Sequence, residues 1–167
     1  LPLVTSDINI NKIEVWVTNT TSRYENSRNI VAFTDLGEGK EEWIYNDDLV
    51  RSSGMIGTPY PDDTVNNLLN NMDYNSLRSL NSVTSYLTSQ GYTSGKDFEK
   101  LQKARKLSPS EYVLNSKLGF ITLNINLNAN QTLAVAYQYT VIGHDKVYQV
   151  GEFSDQSIAD PNLLVTK

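Results

Sequence analysis

The spacing of apolar residues changes twice along this chain, and this change constrains the fold more than any other sequence feature. In residues 13–18 aliphatic residues alternate with other types, which is typical of a strand with one buried face. Between about 62 and 107 apolar residues recur at helical spacing, and afterwards the alternation returns. Strands that flank a helical middle favour an α+β, mainly β fold over alternating βαβ units.

We therefore predict one domain over residues 1–167, with an antiparallel β-sandwich-like core and a helical insertion at about 62–107. Within the core, Val135 and Tyr137 share one face of the longest predicted strand, and we expect both to be buried. The predicted strands cover residues 13–18, 29–35, 43–45, 112–114, 118–123, 132–141 and 146–151.

The insertion carries two clear helix signals. The first is a stripe of apolar residues at i, i+3, i+4 and i+7 that runs from Val65 to Met72. In the second, Ser82 is placed to cap a short helix that runs through Leu87 and ends at Gly91.

A third helix is predicted from Ser94, which with Asp97 resembles a capping box with a shorter acid. This helix would carry Phe98, Leu101 and Ala104 on one side. Its other sides would carry a basic face made of Lys100, Lys103, Arg105 and Lys106.

Composition excludes several classes of function. Fourteen basic residues against nineteen acidic ones give a net charge of −5, which argues against a nucleic-acid partner. The absence of cysteine rules out disulfides, zinc–thiolate sites and iron–sulfur clusters. No apolar run approaches the ~18 residues of a membrane helix, so we expect this segment not to span a membrane.

The sequence offers few groups for catalysis or metal binding. His144, the sole histidine, lies in a predicted hairpin turn, where residues usually serve chain conformation. Asp35, Glu38 and the pair at 41–42 form an acidic loop without the regular spacing of a calcium loop. We therefore expect no enzymatic activity, no metal and no cofactor.

Five residues are candidates for binding a partner: Trp16, Trp43, Lys100, Lys103 and Arg105. Interfaces favour tryptophan and arginine and disfavour lysine, so the tryptophans are the stronger candidates. We expect an exposed patch that contains at least one of the two tryptophans. The alternatives are a sugar-stacking platform and aromatic residues that belong to the core.

Several segments follow one another in an order that resembles the SprA (Sov) family of cell-surface proteins from Bacteroidetes. That family is associated with gliding motility and the type IX secretion system. The matching segments cover nearly the whole chain, with a looser match at about 39–95. They are KIEVWVTN at 12–19, RNIVAFTDLGE at 28–38, FEK at 98–100, ARKLSPSEY at 104–112, LGFITL at 118–123, LAVAYQY at 133–139 and YQVGEFS at 148–154.

The resemblance implies a soluble segment of a very large outer-membrane translocon, located at the cell surface or in the periplasm. It supplies no catalytic residue. The expected function is a non-enzymatic structural or interaction domain that contacts other segments of the translocon, secretion-system subunits or cargo proteins. The alternatives are a cell-surface carbohydrate-binding module and, with less support from the residues, a hydrolase.

Overall fold

The computed structural model describes residues 6–21, 23, 25–34, 72–156 and 158–167. The predicted strand at Trp43, the acidic loop and most of the predicted helix from Val65 lie outside the described residues. The described elements are, in chain order, β1 (Ile8–Val17), β2 (Ser27–Phe33), α1 (Tyr74–Arg78), α2 (Val83–Ser89), β3 (Phe98–Lys106), β4 (Tyr112–Asn115), β5 (Phe120–Leu123), β6 (Leu133–Val141), β7 (Val147–Val150) and β8 (Leu164–Thr166).

The main sheet has the order β7-β6-β1-β3-β2-β8 and curls until its two sides meet. Its neighbours pair antiparallel except β2 and β8, which pair parallel. Lys167, directly after β8, exchanges backbone hydrogen bonds of 2.6 and 3.0 Å with Val135 on β6. The α+β, mainly β class is therefore confirmed, but the core is barrel-like and the predicted sandwich is wrong.

The barrel interior is filled by inward-facing residues from five strands. Trp16 is the largest of them and is 1% exposed, while the positions around it are taken by smaller aliphatic residues. The interior cluster comprises Trp16, Ile30, Ala32, Leu101, Ala104, Ala134 and Leu164.

Two separate layers cover the outer surface of the barrel. The helices α1 and α2 bury Leu77, Val83 and Leu87 against the outer faces of β2, β3 and β8. The β4–β5 hairpin packs its inner face, through Tyr112 and Leu123, on outward-facing residues of β1 and β6. Because both faces of the main sheet are covered, apolar residues point to both sides of its strands.

The predicted third helix is wrong, since residues 98–106 form β3. Lys103 has a φ of 51° and lies at a β-bulge, where the register with β2 shifts between Arg28 and Ile30. The bulge puts Leu101 and Ala104 on the same inner face although they are three residues apart. The spacing that imitated a helix is thus produced by an irregular strand.

The predicted burial of Val135 and Tyr137 also needs correction. Val135 and Tyr137 are half-buried, whereas Ala134 and Ala136 on the opposite face have no exposed surface. The reason is that the Val135 face points outward from the barrel and is partly covered by the hairpin.

The second predicted helix is confirmed as α2, and both described helices lie within the predicted insertion. Ser82 occupies the N-cap position, but its side chain does not cap the helix and instead donates to the Ser76 carbonyl at 3.1 Å. The first helix, α1, is capped by Asp73, whose carboxylate accepts from the Ser76 N–H at 2.8 Å.

Candidate functional site

Trp16 lies in the interior of the barrel and not on the surface where we expected a tryptophan. Its indole is 1% exposed because the Trp16 side of β1 faces into the barrel. Trp16 therefore does not supply the tryptophan that we expected in an exposed patch. Trp43 lies outside the described residues, so its part of that prediction stays open.

The three basic residues that the sequence suggested for partner binding do not form one surface. Lys100 donates to the Leu80 carbonyl at 3.3 Å, and Lys103 lies 3.6 Å from Asp160. Arg105 binds both carboxylate oxygens of Glu111, at 2.8 and 2.9 Å. Each cation has a partner within the chain, so the basic helix face that the sequence suggested does not exist.

Sequence reasoning missed a buried polar network at one end of the barrel. Glu14 is 4% exposed and forms an ion pair with Lys106 from the neighbouring strand. Ser154, in the loop after β7, donates to Glu14 through its hydroxyl at 2.8 Å and its backbone N–H at 2.9 Å. Glu14 alternates with Val15 as a surface residue would, so its sequence gave no sign of burial.

The hydrogen bonds of this network do not prepare the Ser154 hydroxyl for nucleophilic attack. Lys106 also approaches the Ser154 hydroxyl, at 3.2 Å, as in a Ser–Lys pair. A general base must accept a proton, whereas the Lys106 ammonium donates to Glu14, and so does the Ser154 hydroxyl. Burial, followed by the charge of Glu14, raises the pKa of the nearby Tyr112 above 10.0, so this phenol is not a base either.

A cleft of about 540 Å³ opens beside this network, between the start of β2, the end of β3 and the loop after β7. Trp16, Arg28, Lys106 and Ser154 line it. The Lys106 ammonium lies 5.7 Å from the centre of the Trp16 ring. The structure thus places one predicted residue, Trp16, in the wall of this cleft, but with its ring buried.

The outer face of the β4–β5 hairpin exposes apolar side chains. Val113 is 58% exposed and Phe120 is 49% exposed, and the strand register places both on the same face. Leu118, in the connecting turn, is 45% exposed. The sequence signal was the alternation in residues 118–123, which we interpreted as a core strand.

The acidic loop at Asp35 and Glu38 lies outside the described residues, whereas His144 lies within them. His144 lies in the exposed turn between β6 and β7, as predicted, and its backbone N–H donates to the Val141 carbonyl at 3.0 Å. Within the described ranges, no group of three or more acidic or histidine side chains could hold a metal ion. The helices in this part of the chain are too short and too polar to cross a membrane.

No protein-family model matches this chain, and no curated protein matches it either. The resemblance to the SprA family therefore stays a prediction from the sequence.

Proposed function

We propose that this chain is a non-enzymatic interaction domain of a SprA-like outer-membrane translocon, which serves type IX protein secretion and gliding motility at the cell surface. The observation that carries the proposal is the exposed apolar face of the β4–β5 hairpin. A single exposed apolar residue is ordinary, but neighbouring exposed apolar residues on one face, here Val113 and Phe120 with Leu118 in the adjoining turn, are typical of a surface that a partner covers.

We call the outward-facing side of the β4–β5 hairpin the hairpin face. Its four strand residues, Val113, Asn115, Phe120 and Thr122, are uncharged. Depletion of charge at the centre is typical of protein–protein interfaces, and permanent interfaces are the more apolar ones. We therefore propose another segment of the same translocon as the partner of the hairpin face. A secretion-system subunit or a cargo protein would be a different outcome of the test.

The test is site-specific photo-crosslinking in the full-length protein. A crosslinker at position 120 should join the hairpin face to another segment of the same polypeptide. The control position is Thr88, which is exposed on α2 and belongs to the layer that covers a different part of the barrel. A crosslink from position 120 to a second protein would contradict the proposed partner. If neither position gives a crosslink, the proposed interface is wrong.

Function is tested with the double variant Val113→Ser, Phe120→Ser. It should reduce secretion of type IX cargo, because the apolar contact is lost while the fold is kept. Val147→Ser is the matched control, since Val147 is 51% exposed but lies on β7. Normal secretion by the double variant would contradict the proposal.

The carbohydrate-binding alternative assumed that Trp16 and Trp43 stack on a sugar. The ring of Trp16 is buried and cannot do so. The alternative now depends on Trp43. Binding of the domain to a glycan array, abolished by Trp43→Ala, would replace the interaction domain with this alternative.

A further inference from the structure

Arg28 is a half-buried cation beside the cleft. Its Nη2 donates to the Ile158 carbonyl at 2.6 Å, while its Nε is buried and has no hydrogen-bond partner within the described part of the chain. Among the residues that the structure describes, no carboxylate lies within ion-pair distance of Arg28. The other described basic residues of this region, Lys103, Arg105 and Lys106, each have an acidic partner.

A second unpartnered donor lies in the wall of the same cleft. The indole N–H of Trp16 is buried with the rest of the side chain and finds no acceptor among the residues that the structure places. Buried donors are nearly always paired in folded proteins, and an orphan one destabilises the structure. Two such donors on residues that line one cleft indicate that an acceptor belongs there.

The local charge defines the acceptor. Arg28 and Lys106 bring two positive charges to the cleft, and Glu14, which binds Lys106, brings one negative charge. The remaining single positive charge matches a monovalent anion better than a phosphate dianion, which Glu14 would repel. Arginine is suited to a carboxylate because its planar group offers two parallel N–H donors. The volume of the cleft is in the range of small-ligand pockets.

We propose that this cleft binds a carboxylate group of a peptide, with Arg28 as the main ligand and the Trp16 indole N–H as a second donor. Both nitrogen atoms are shielded from water, so binding of the carboxylate requires the Arg28 side chain to move. The carboxylate can belong to an acidic side chain or to a chain terminus. This site is separate from the hairpin face and does not depend on the proposed function.

The experiment is a titration of the ¹⁵N-labelled domain, followed by NMR at the Trp16 indole N–H and the Arg28 Nε–H signals. Trp43→Phe assigns the two indole signals. The probes are acetate, inorganic phosphate and three short peptides at equal ionic strength. One peptide has a glutamate side chain as its sole carboxylate, one has a free C-terminus, and one is the amidated glutamine analogue.

Both signals should shift and saturate with acetate and with at least one carboxylate peptide, but not with the glutamine peptide. The stronger of the two carboxylate peptides identifies the source of the group. Tighter binding of phosphate than of acetate would overturn the carboxylate assignment. Signals that stay in place with every probe at millimolar concentration would overturn the site.

Arg28→Gln should weaken binding by about tenfold or more, because a charge-assisted hydrogen bond is lost. Arg105→Gln is the matched control and should bind normally, since this guanidinium is already paired with Glu111. An unchanged affinity of Arg28→Gln would overturn the role of Arg28. If Arg28→Gln does not fold, the titration of the wild-type signals decides the proposal.

Discussion

The side-chain oxygen of Asn29 accepts a hydrogen bond from the backbone N–H of Lys103, at 3.0 Å. Asn29 is 3% exposed, and its amide nitrogen donates to the Pro161 carbonyl at 3.3 Å. One asparagine therefore satisfies the backbone at the bulge of β3 and joins it to the chain segment before β8. The bulge sets which residues of β3 face the interior.

We expect Asn29→Ala to lower the free energy of unfolding by about 1–2 kcal/mol, since it removes two part-buried hydrogen bonds, to the Lys103 N–H and the Pro161 carbonyl. Urea unfolding followed by circular dichroism measures this loss. Asn130→Ala, at an exposed turn position, is the control and should change the stability little. Equal stabilities of the two variants would show that the bulge does not depend on Asn29.

Gly151→Ala should be strongly destabilising. Gly151 has a φ of 75°, and a Cβ at this position would lie 3.0 Å from the Cβ of Ala136. Backbone strain and overpacking together should cost about 2–5 kcal/mol. Gly143 has a similar φ, 84°, but open space around it, so Gly143→Ala should cost about 1–2 kcal/mol from strain alone. Thermal unfolding that ranks the two variants in the reverse order would refute the close approach.

Glu14→Ala should destabilise the domain by about 2–3 kcal/mol, because it removes the ion-pair partner of Lys106 and the acceptor of two Ser154 donors. Unfolding in denaturant measures the loss. Lys12→Ala is the comparison, since its pair with Asp155 is exposed and should contribute much less. A loss for Glu14→Ala no larger than that for Lys12→Ala would mean that the network is not structural.

Glu111 should make stability depend on pH. The hydrogen bond from the Ser108 N–H, aided by Arg105, holds the pKa of this carboxyl below its ordinary value of 4.5. Because the folded-state pKa is lowered, the stabilisation is fully present above pH 4.5 and is lost as the pH falls through the lowered pKa. The wild type should therefore exceed Glu111→Gln in unfolding free energy at pH 7, and the difference should shrink at pH 3. A difference that is the same at both pH values would contradict this prediction.

The sequence determined the local structure where one face of a strand or helix is buried in a regular pattern. The alternation in β1 and β6, the turn before β7 and the Ser82 and Gly91 signals that flank α2 are local, so these elements are found near the predicted positions, although β1 begins earlier, at Ile8. The same reasoning failed at β3, because a bulge at Lys103 changes the spacing of its buried residues to three.

The tertiary structure alone decided which side of each strand is the interior. Helices and a hairpin cover the outer surface of the barrel, so both sides of its strands carry apolar residues and alternation cannot tell them apart. Closure depends on contacts between distant segments, such as Val135 with Lys167. That closure buries Trp16, brings Glu14 next to Lys106 and leaves the hairpin face exposed to solvent. The spacing of neighbouring residues in the sequence encodes none of these three outcomes.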